Sequence, residues 1–471
     1  MRPSYKAVNS ARTIRSMSDE ALQYARAHRD AYLDDLLKYV AIPSVSAQPE
    51  HKPDVLRAAN WLTQHLNEIG LDSRIMPTGG NPVVYGEWMK KPGAPTVLIY
   101  GHYDVQPAEP FDLWKSPPFA PEIRDGAIYA RGADDNKGQH MAHIKALDAL
   151  LRATGELPVN VKIIVEGEEE IGGTNLPLFV REHAAMLACD CVMISDGSLF
   201  DISRPTITYG LRGLSQMEVT VKALARDVHS GHFGGNVQNP AVAIAQIIAG
   251  LKDAQGRVVV PSFYDDVRPL STDERAEIAQ VPWGPAEVIN ESGALQAFGD
   301  PDFTANERKG ARPTLEINGL WSGYTGPGGK TIIPAEAHCK ITCRLVPYMD
   351  PQKVIDAVQA HIRKLAPPGV EVSFKDVHGG IASLIDRSSP LFQAAAAAAE
   401  ATYGNPPYYE LEGGSIPVVA DFLSVLQKPV ILLGFGLPTD AIHSPNEKYS
   451  VECYEKGIEA SVRFLTGLSQ K

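Results

Sequence analysis

The sequence predicts an α/β protein whose mostly parallel sheet is interrupted by an inserted α+β unit. Apolar runs rich in β-branched residues, bounded by turn residues, alternate with stretches typical of helices. Several of these runs lead into polar side chains, as expected where the carboxyl ends of parallel strands line a ligand site. A second group of strands and helices, in a different order, occupies residues 209–380. The predicted domains are therefore residues 1–208 with 381–471, and residues 209–380.

The elements of the first domain follow in chain order. A helix is expected from Ser18 to Val40, with Asp19 and Glu20 as acids of its first turn. A later helix over residues 390–403 contains a run of alanines, which are strong helix formers. Strands are predicted over residues 96–100, 159–165, 189–195 and 429–435, and a further helix over residues 137–152. This alternation is typical of a parallel sheet.

Residues 1–17 contain arginines and serines but no acid, a composition that faintly resembles an organelle presequence. We expect instead a disordered tail, or an extension that precedes a start at Met17.

The inserted unit has the order βαββαβ, which is the split ferredoxin-like arrangement. Residues 270–309, rich in acids, Pro and Gly, are expected to be irregular. An open sheet of this kind leaves an edge strand that needs a partner, which predicts a homodimer through this unit. The strands are predicted over residues 214–221, 314–320, 337–345 and 370–374, and the helices over residues 240–251 and 351–365.

Composition excludes several classes of protein. The net charge of −12 over 471 residues argues against a nucleic-acid partner, which requires clustered Lys and Arg. Apolar runs stay shorter than the roughly 20 residues of a membrane span. The five cysteines are odd in number and scattered, so reduced core thiols and a cytoplasmic location are expected.

Five side chains near the ends of predicted strands are of types that bind borderline divalent cations through imidazole nitrogen and carboxylate oxygen. One histidine and one carboxylate for each of two ions, with a further carboxylate as a bridge, would form a two-metal hydrolase site that holds a hydroxide. Singly, such residues are more often surface groups or helix caps, but five together favour a site. The candidates are His102, Asp135 as the bridge, Glu170, Asp196 and His443.

Two further acids complete the predicted chemistry. Asp104 lies two residues after His102 and would accept the proton of its second imidazole nitrogen. Glu169 is the spare carboxylate beside Glu170, and would deprotonate the bridging water and pass the proton to the leaving amine.

The motifs around these residues resemble the co-catalytic metallopeptidase family of carnosinases, aminoacylases and succinyl-diaminopimelate desuccinylase. The resemblance spans nearly the whole chain and implies a catalytic domain of zinc-exopeptidase type with an inserted lid and dimerisation domain. It also implies a cis peptide at Asp135-Asn136, where members commonly have Asp at the second position, and Asn136 is not expected to touch the ions. The matching segments are Gly101-His102-Tyr103-Asp104-Val105, Arg131-Gly132-Ala133-Asp134-Asp135-Asn136-Lys137-Gly138, Glu166-Gly167-Glu168-Glu169-Glu170 and Ile194-Ser195-Asp196.

The same resemblance implies residues that contact substrate. His229, in Asp227-Val228-His229-Ser230-Gly231, would reach across the dimer, polarise the scissile carbonyl and complete the neighbouring site. Arg344 would clamp a substrate carboxylate, with Thr331 and His378 at neighbouring positions. The segment Glu412-Gly413-Gly414-Ser415-Ile416-Pro417 resembles the dipeptidase branch, in which Glu412 would hold a free amino terminus and Ser415 the carboxylate end.

The predicted function is metal-dependent hydrolysis of dipeptides, with two divalent ions in each subunit. Zinc is expected from its affinity for such ligands, while manganese and cobalt stay open because cellular supply can reverse that order. Two alternatives remain: an N-acyl amino-acid deacylase or desuccinylase, with the same metals and Arg344 but no amine anchor, and a metal-bound scaffold or binding protein that has lost catalysis.

Overall fold

The computed structural model describes residues 5–414 and 416–469, and the chain separates into two compact units. The first unit comprises Met1–Tyr209, Ile385–Tyr409 and Pro417–Lys471, and the second comprises Gly210–Leu384 and Glu410–Ile416. These boundaries lie within a few residues of the predicted ones, except that residues 410–416 group with the second unit.

The elements that begin before Gly210 make up the N-terminal part of the first unit. Its helices are α1 (Tyr5–Ala27), α2 (Arg29–Val40), α3 (Lys52–Glu68), α4 (Lys137–Thr154) and α5 (Leu176–Glu182). Its strands are β1 (Asp72–Met76), β2 (Val83–Trp88), β3 (Thr96–His102), β4 (Glu122–Arg124), β5 (Ala127–Tyr129), β6 (Asn160–Glu166), β7 (Cys191–Ile194) and β8 (Thr206–Leu211).

The inserted part follows. Its strands are β9 (Gly213–Lys222), β10 (Val228–His229), β11 (Thr314–Ser322), β12 (Ile332–Ile333), β13 (Glu336–Leu345), β14 (Glu371–Gly380) and β15 (Ser383–Leu384). Its helices are α6 (Ser230–Phe233), α7 (Pro240–Ala249), α8 (Thr272–Ile278), α9 (Pro285–Ser292), α10 (Ala305–Gly310) and α11 (Pro351–Leu365).

The C-terminal part contains the remaining elements. Its strands are β16 (Tyr408–Glu412), β17 (Val430–Leu432) and β18 (Lys448–Ser450). Its helices are α12 (Pro390–Tyr403), α13 (Pro417–Asp421) and α14 (Val451–Leu468).

The first unit is built on a sheet with the strand order β1-β2-β6-β3-β7-β17-β8. The four central strands, β6, β3, β7 and β17, run parallel, and the flanking strands run antiparallel to their neighbours. The register places His102 beside Glu166, and Tyr100 beside Ile194. The carboxyl ends of three strands therefore meet at one edge, as the predicted α/β class requires.

The second unit contains an antiparallel sheet with the order β11-β13-β9-β14, which is the predicted ferredoxin-like arrangement. Helices α7 and α11 contribute Ile244, Ile247 and Ile355 to a core that also takes Cys339 and Cys343 from β13. Because strand side chains alternate between faces, Arg344 lies on the face opposite this core.

Two expectations about local structure were wrong. The N-terminal helix begins at Tyr5 rather than at Ser18, and it breaks at His28 into α1 and α2. The stretch expected to be irregular contains the short helices α8, α9 and α10. The hydroxyl groups of Ser271 and Thr304 accept hydrogen bonds from Glu274 and Glu307 backbone N–H groups at the starts of two of them, a capping signal present in the sequence.

All five cysteines are buried and unpaired. Within the part of the chain that the structure describes, no helix has both the length and the apolar character to cross a bilayer.

Candidate metal centre

The carboxyl edge of the central sheet supplies three of the five predicted metal ligands. His102 is the last residue of β3, Asp196 lies two residues beyond β7, and Glu170 lies in the turn after β6. The other two lie farther from the strand ends than expected. Asp135 lies in the loop before α4, and β17 ends at Leu432, so His443 lies well along the following loop.

The carboxylate of Asp135 lies between the two histidines. Its Oδ1 is 3.0 Å from Nε2 of His102, and its Oδ2 is 2.9 Å from Nε2 of His443. On the His102 side, Oδ2 of Asp196 lies 3.9 Å from Nε2 of that histidine. On the other side, Oε2 of Glu170 lies 3.3 Å from Nε2 of His443. The donor atoms thus form two groups of three, and Asp135 contributes one oxygen to each.

The loop that carries Asp135 is fastened by the buried carboxylate of Glu447. Its Oε2 accepts hydrogen bonds from Nη1 of Arg131 at 2.7 Å and from the Gly132 amide at 2.9 Å. Its Oε1 accepts from the amides of Asp134 and Asp135, each at 3.1 Å. The backbone of Asp135 is therefore held by a side chain from the C-terminal part of the chain. The peptide bond Asp135-Asn136 is cis, which confirms that expectation.

The orientation of His102 differs in one detail from the prediction. Its Nδ1 lies 3.0 Å from the backbone carbonyl oxygen of Asp104, whereas the nearest carboxylate oxygen of Asp104 is 3.5 Å away. A proton on Nδ1 donated to that carbonyl leaves Nε2 with a free lone pair toward Asp135. The carboxylate of Asp104 instead accepts from the hydroxyl of Ser46 at 2.7 Å and from the amide of Glu170 at 3.1 Å.

The neighbouring acids Glu169 and Glu170 have different surroundings. Glu170 faces His443 and accepts a hydrogen bond from Nε2 of Gln106 at 2.8 Å. Within the described residues, no hydrogen bond or ion pair engages the carboxylate of half-buried Glu169. Burial raises the pKa of Glu169, and the negative charges of Glu170 and Asp135 raise it further against the opposing effect of His102.

The electrostatics of the cluster fit divalent cations. Burial, and then the charge of Asp135, raise the pKa of Asp196 to about 8. Hydrogen bonds to Asp135 and Glu170 raise the pKa of His443 to about 10. Negative charge contributes to both shifts, and concentrated negative charge is the condition that favours a bound cation. His102, Asp135 and Glu170 offer ligand atoms within 4.8 Å of one another, and imidazole with carboxylate is a donor set that suits zinc.

Two predicted substrate residues of the second unit lie together. The backbone carbonyl of Thr331 accepts a hydrogen bond of 3.0 Å from the amide of Ser230, next to His229, and His229 pairs with Ile332. Nδ1 of His229 accepts from the amide of Gly231 at 3.0 Å, so the ring proton resides on Nε2. His229 is exposed, and its ring stacks on that of His232.

Arg344 and His378 belong to the four-stranded sheet of the second unit. Arg344 of β13 pairs with Leu214 of β9, and Leu214 pairs in turn with Gly380 of β14. His378 lies on the same edge strand, paired with Gln216, and is exposed.

Glu412 has a partner that the sequence did not suggest. Its Oε2 lies 2.8 Å from Nζ of Lys309, and its Oε1 accepts from the amides of Gly413 and Gly414. Lys309 also binds Glu410, at 2.9 Å. Ser415, the other predicted anchor in this segment, lies outside the described residues.

Sequence reasoning missed Glu447, Gln106 and Ser46. Two of them carried a signal, since Glu447 lies four residues after His443 and Gln106 two residues after Asp104. Ser46 had none, because it comes from a segment 58 residues away from Asp104 in the chain.

Known peptidases are similar to this chain over most of its length. Residues 98–467 match the family described as Peptidase family M20/M25/M40. Cys-Gly metallodipeptidase dug1 of Schizosaccharomyces pombe is 32% identical over 460 residues, which cover 94% of this chain and 96% of that protein. Human Beta-Ala-His dipeptidase is 31% identical over 476 residues, covering 97% and 93%. The solved structure of an M20 family metallo-carboxypeptidase from Sulfolobus solfataricus superposes with a TM-score of 0.82 at 33% identity, covering 93% and 99%.

Proposed function

The chain belongs to Peptidase family M20/M25/M40, and on that premise we propose that it hydrolyses unblocked dipeptides at a centre of two divalent ions. The family is one of peptidases, and relatives named as a metallodipeptidase and a dipeptidase match nearly all of this chain. The proposal rests on the position of the Asp135 carboxylate between the two histidines. One of its oxygens lies 3.0 Å from Nε2 of His102, and the other lies 2.9 Å from Nε2 of His443.

The same geometry divides the ligands between the ions. His102 and Asp196 would hold one ion, His443 and Glu170 the other, and Asp135 would bridge them. Two cations bound there would lower the pKa of a shared water and polarise the carbonyl of the scissile bond. Zinc is the proposed ion, since this donor set suits it.

Glu169 is the proposed general base and acid. A carboxylate that takes a proton from water and returns it to an amine works best when its pKa is raised toward neutrality. Burial shifts the pKa of Glu169 in that direction. Its carboxylate is also free of the hydrogen bonds that occupy Glu170.

His229 is the proposed donor to the developing oxyanion. Because the amide of Gly231 occupies Nδ1, the proton on Nε2 is available to a carbonyl oxygen. We propose that this donor acts in the site of a partner subunit, within a homodimer formed through the second unit.

Arg344, Thr331 and His378 are proposed to bind the substrate carboxylate. Glu412 is proposed to bind the amino terminus, with Ser415 assisting at the carboxylate end. Since Lys309 already neutralises Glu412, a substrate ammonium would share that carboxylate or displace the lysine. The buried, unpaired cysteines support the expected cytoplasmic location.

The test is a substrate panel applied to metal-stripped protein with zinc or manganese restored. The panel contains free dipeptides, their N-acetylated forms, N-acetylated single amino acids and the matching tripeptides. We expect cleavage of the free dipeptides alone. Release of acetate from the acetylated amino acids would make the protein a deacylase, and no turnover with any metal would support a scaffold.

A second candidate has specific support from the Sulfolobus structure, whose protein is described as a carboxypeptidase. A carboxypeptidase needs a carboxylate anchor but no amine anchor. It would remove the C-terminal residue from acetylated dipeptides and tripeptides as readily as from free dipeptides, so the same panel separates the two activities.

A further inference from the structure

Asn136 is a fully buried residue that the proposed mechanism leaves without a role. It directly follows the bridging Asp135 and occupies the position before the first residue of α4. Asparagine at such a position usually caps the helix with its side chain, but this one forms no capping hydrogen bond. Its amide is directed elsewhere.

Every hydrogen-bonding position of the Asn136 amide is used. Its Nδ2 donates to the backbone carbonyl of Ser195 at 2.6 Å and to Oδ1 of Asp196 at 3.0 Å. Its Oδ1 accepts from the backbone amide of His102 at 3.3 Å and from Nδ1 of His140 at 3.1 Å. A flipped amide would set oxygen against two acceptors and NH₂ against a backbone N–H. These partners therefore determine its orientation.

His140 and Tyr39 extend the hydrogen-bond network of the Asn136 amide. Nδ1 of His140 faces the amide oxygen and so carries the ring proton, which leaves Nε2 to accept from the Tyr39 hydroxyl at 3.2 Å. Tyr39 in turn stacks on Trp61, with ring centroids 4.7 Å apart. Gly101 admits the arrangement, because a Cβ there would lie 2.6 Å from Cβ of His140 and 2.9 Å from the amide oxygen.

These hydrogen bonds affect the carboxylate of Asp196. The amide of Asn136 occupies Oδ1, while Oδ2 lies 3.9 Å from Nε2 of His102, on the side of one proposed ion. The group of His443 and Glu170 makes no such contact with Asn136 among the described residues. The amide therefore acts on one half of the centre.

We infer, on the premise of the proposed two-ion centre, that Asn136 is a positioning residue that presents a single oxygen of Asp196 to the ion shared with His102. Alanine at this position would remove both hydrogen bonds that Nδ2 donates, to the carbonyl of Ser195 and to Oδ1 of Asp196. The affinity of the His102 ion would fall, while the ion held by His443 and Glu170 would keep its own.

The test compares zinc binding by metal-stripped wild-type protein and Asn136→Ala, measured by equilibrium dialysis. Removing a group that orients a metal ligand typically weakens metal binding about 10- to 100-fold. We expect that loss for one of the two ions and less than about a twofold change for the other. Cobalt substitution, read from its visible absorption bands, would report the same selective loss without any substrate.

Asn160→Ala is the matched control. Asn160 is also buried, donates its amide to the carbonyls of Lys91 and Ala94, and lies at the start of β6, whereas the ligand edge is at the other end of that strand. The control variant should bind both ions as the wild type does. Tyr39→Phe is a milder second variant that removes the hydroxyl donor to His140 alone, and it should weaken the same ion by a smaller factor.

Wild-type affinity for both ions in Asn136→Ala, or equal weakening of both, would overturn the inference. If Asn136→Ala does not fold, Tyr39→Phe decides, because unchanged binding of both ions in that variant would likewise reject it. These readouts are independent of the substrate panel. A protein that cleaves no dipeptide but loses one ion selectively would refute the proposed function and leave the role of Asn136 standing.

Discussion

Residue surroundings separate the roles of acids that the sequence presents as a cluster. Glu170 faces His443 and Gln106, Asp196 faces His102 and Asn136, and Glu169 is left without such partners among the described residues. These different contacts fit the proposed roles, in which two of the carboxylates are metal ligands and the third carries the proton. Burial and neighbouring charge, which differ from one position to the next, produce that division.

The role of Glu169 can be tested by replacing its carboxylate with an amide of the same shape. We predict that Glu169→Gln loses kcat by about 100- to 10,000-fold, because general acid–base catalysis contributes that much. Zinc stoichiometry, measured by atomic absorption, should stay at the wild-type value, since Glu169 is not a proposed ligand.

The matched control is Glu122→Gln, which changes an acid on β4 that is 52% exposed and paired with Arg124. Its activity should equal that of the wild type. Turnover by Glu169→Gln within a few-fold of this control would remove Glu169 from the mechanism.

At the scale of elements, the loop between β5 and α4 depends on a single side chain from the C-terminal part of the first unit. Glu447 neutralises Arg131 and accepts hydrogen bonds from three backbone amides of the loop, including that of Asp135. Both Arg131 and Glu447 are almost fully buried. Removing one member of a buried ion pair leaves the other charge uncompensated.

We predict that Glu447→Gln lowers the free energy of unfolding by about 3 kcal/mol, the range found when a buried pair is broken. It should also weaken zinc binding, because an amide NH₂ would face backbone N–H donors and displace the loop that carries Asp135, the proposed bridge. Thermal denaturation with and without zinc measures both effects. A melting temperature and zinc affinity equal to those of Glu122→Gln would contradict this account.

The packing of α3 on α4 contains a pH-sensitive contact. Nζ of Lys145 lies 2.8 Å from Nε2 of His65 and 2.6 Å from Oδ2 of Asp35. Burial, and then the positive charge of Lys145, lower the pKa of His65 to about 4. The unfolded chain therefore binds a proton below about pH 6.5 that the folded protein does not bind until about pH 4.

Stability contributed by neutral His65 is fully present above about pH 6.5 and is lost as the pH falls toward 4, by up to about 3 kcal/mol. We predict that His65→Gln, which can accept from Lys145 without titrating, loses less melting temperature between pH 7.5 and pH 4.5 than the wild type does. Parallel losses in the two proteins would show that His65 does not titrate as its surroundings imply.

At the scale of the whole molecule, the second unit has the features expected of a subunit interface. β11 is an edge strand of the four-stranded sheet, and Leu320 and Trp321 on it are 55% and 40% exposed. Unpaired edge strands with apolar side chains favour association with a second copy. The proposed dimer would also bring His229 to a partner subunit's site.

A shared site predicts complementation between inactive variants. In a dimer of His229→Ala with Glu169→Gln, one of the two sites receives an intact Glu169 and an intact His229. Random exchange of subunits should therefore restore about one quarter of wild-type activity. If His229 acts within its own subunit, mixing restores nothing, and light scattering of the mixture confirms that exchange took place.

The fold was predictable because its signals are local. Apolar runs with the period of strands and helices located β3, β6, β9 and α11, and residue types capable of binding metal stood beyond three of the strand ends. The break at His28 and the short helices were missed because they depend on packing and capping. Hydrophobic periodicity alone does not detect either.

By itself, the sequence determined the order of the elements, the ferredoxin-like insertion and the chemical types gathered at the sheet edge. Only the tertiary structure decided which oxygen of Asp135 faces which histidine, that Glu447 holds its loop, and that Asn136 holds Asp196. The reason is physical. Periodicity and side-chain type are properties of neighbouring residues, whereas these hydrogen bonds join atoms up to 312 residues apart in the chain, and only folding brings them together.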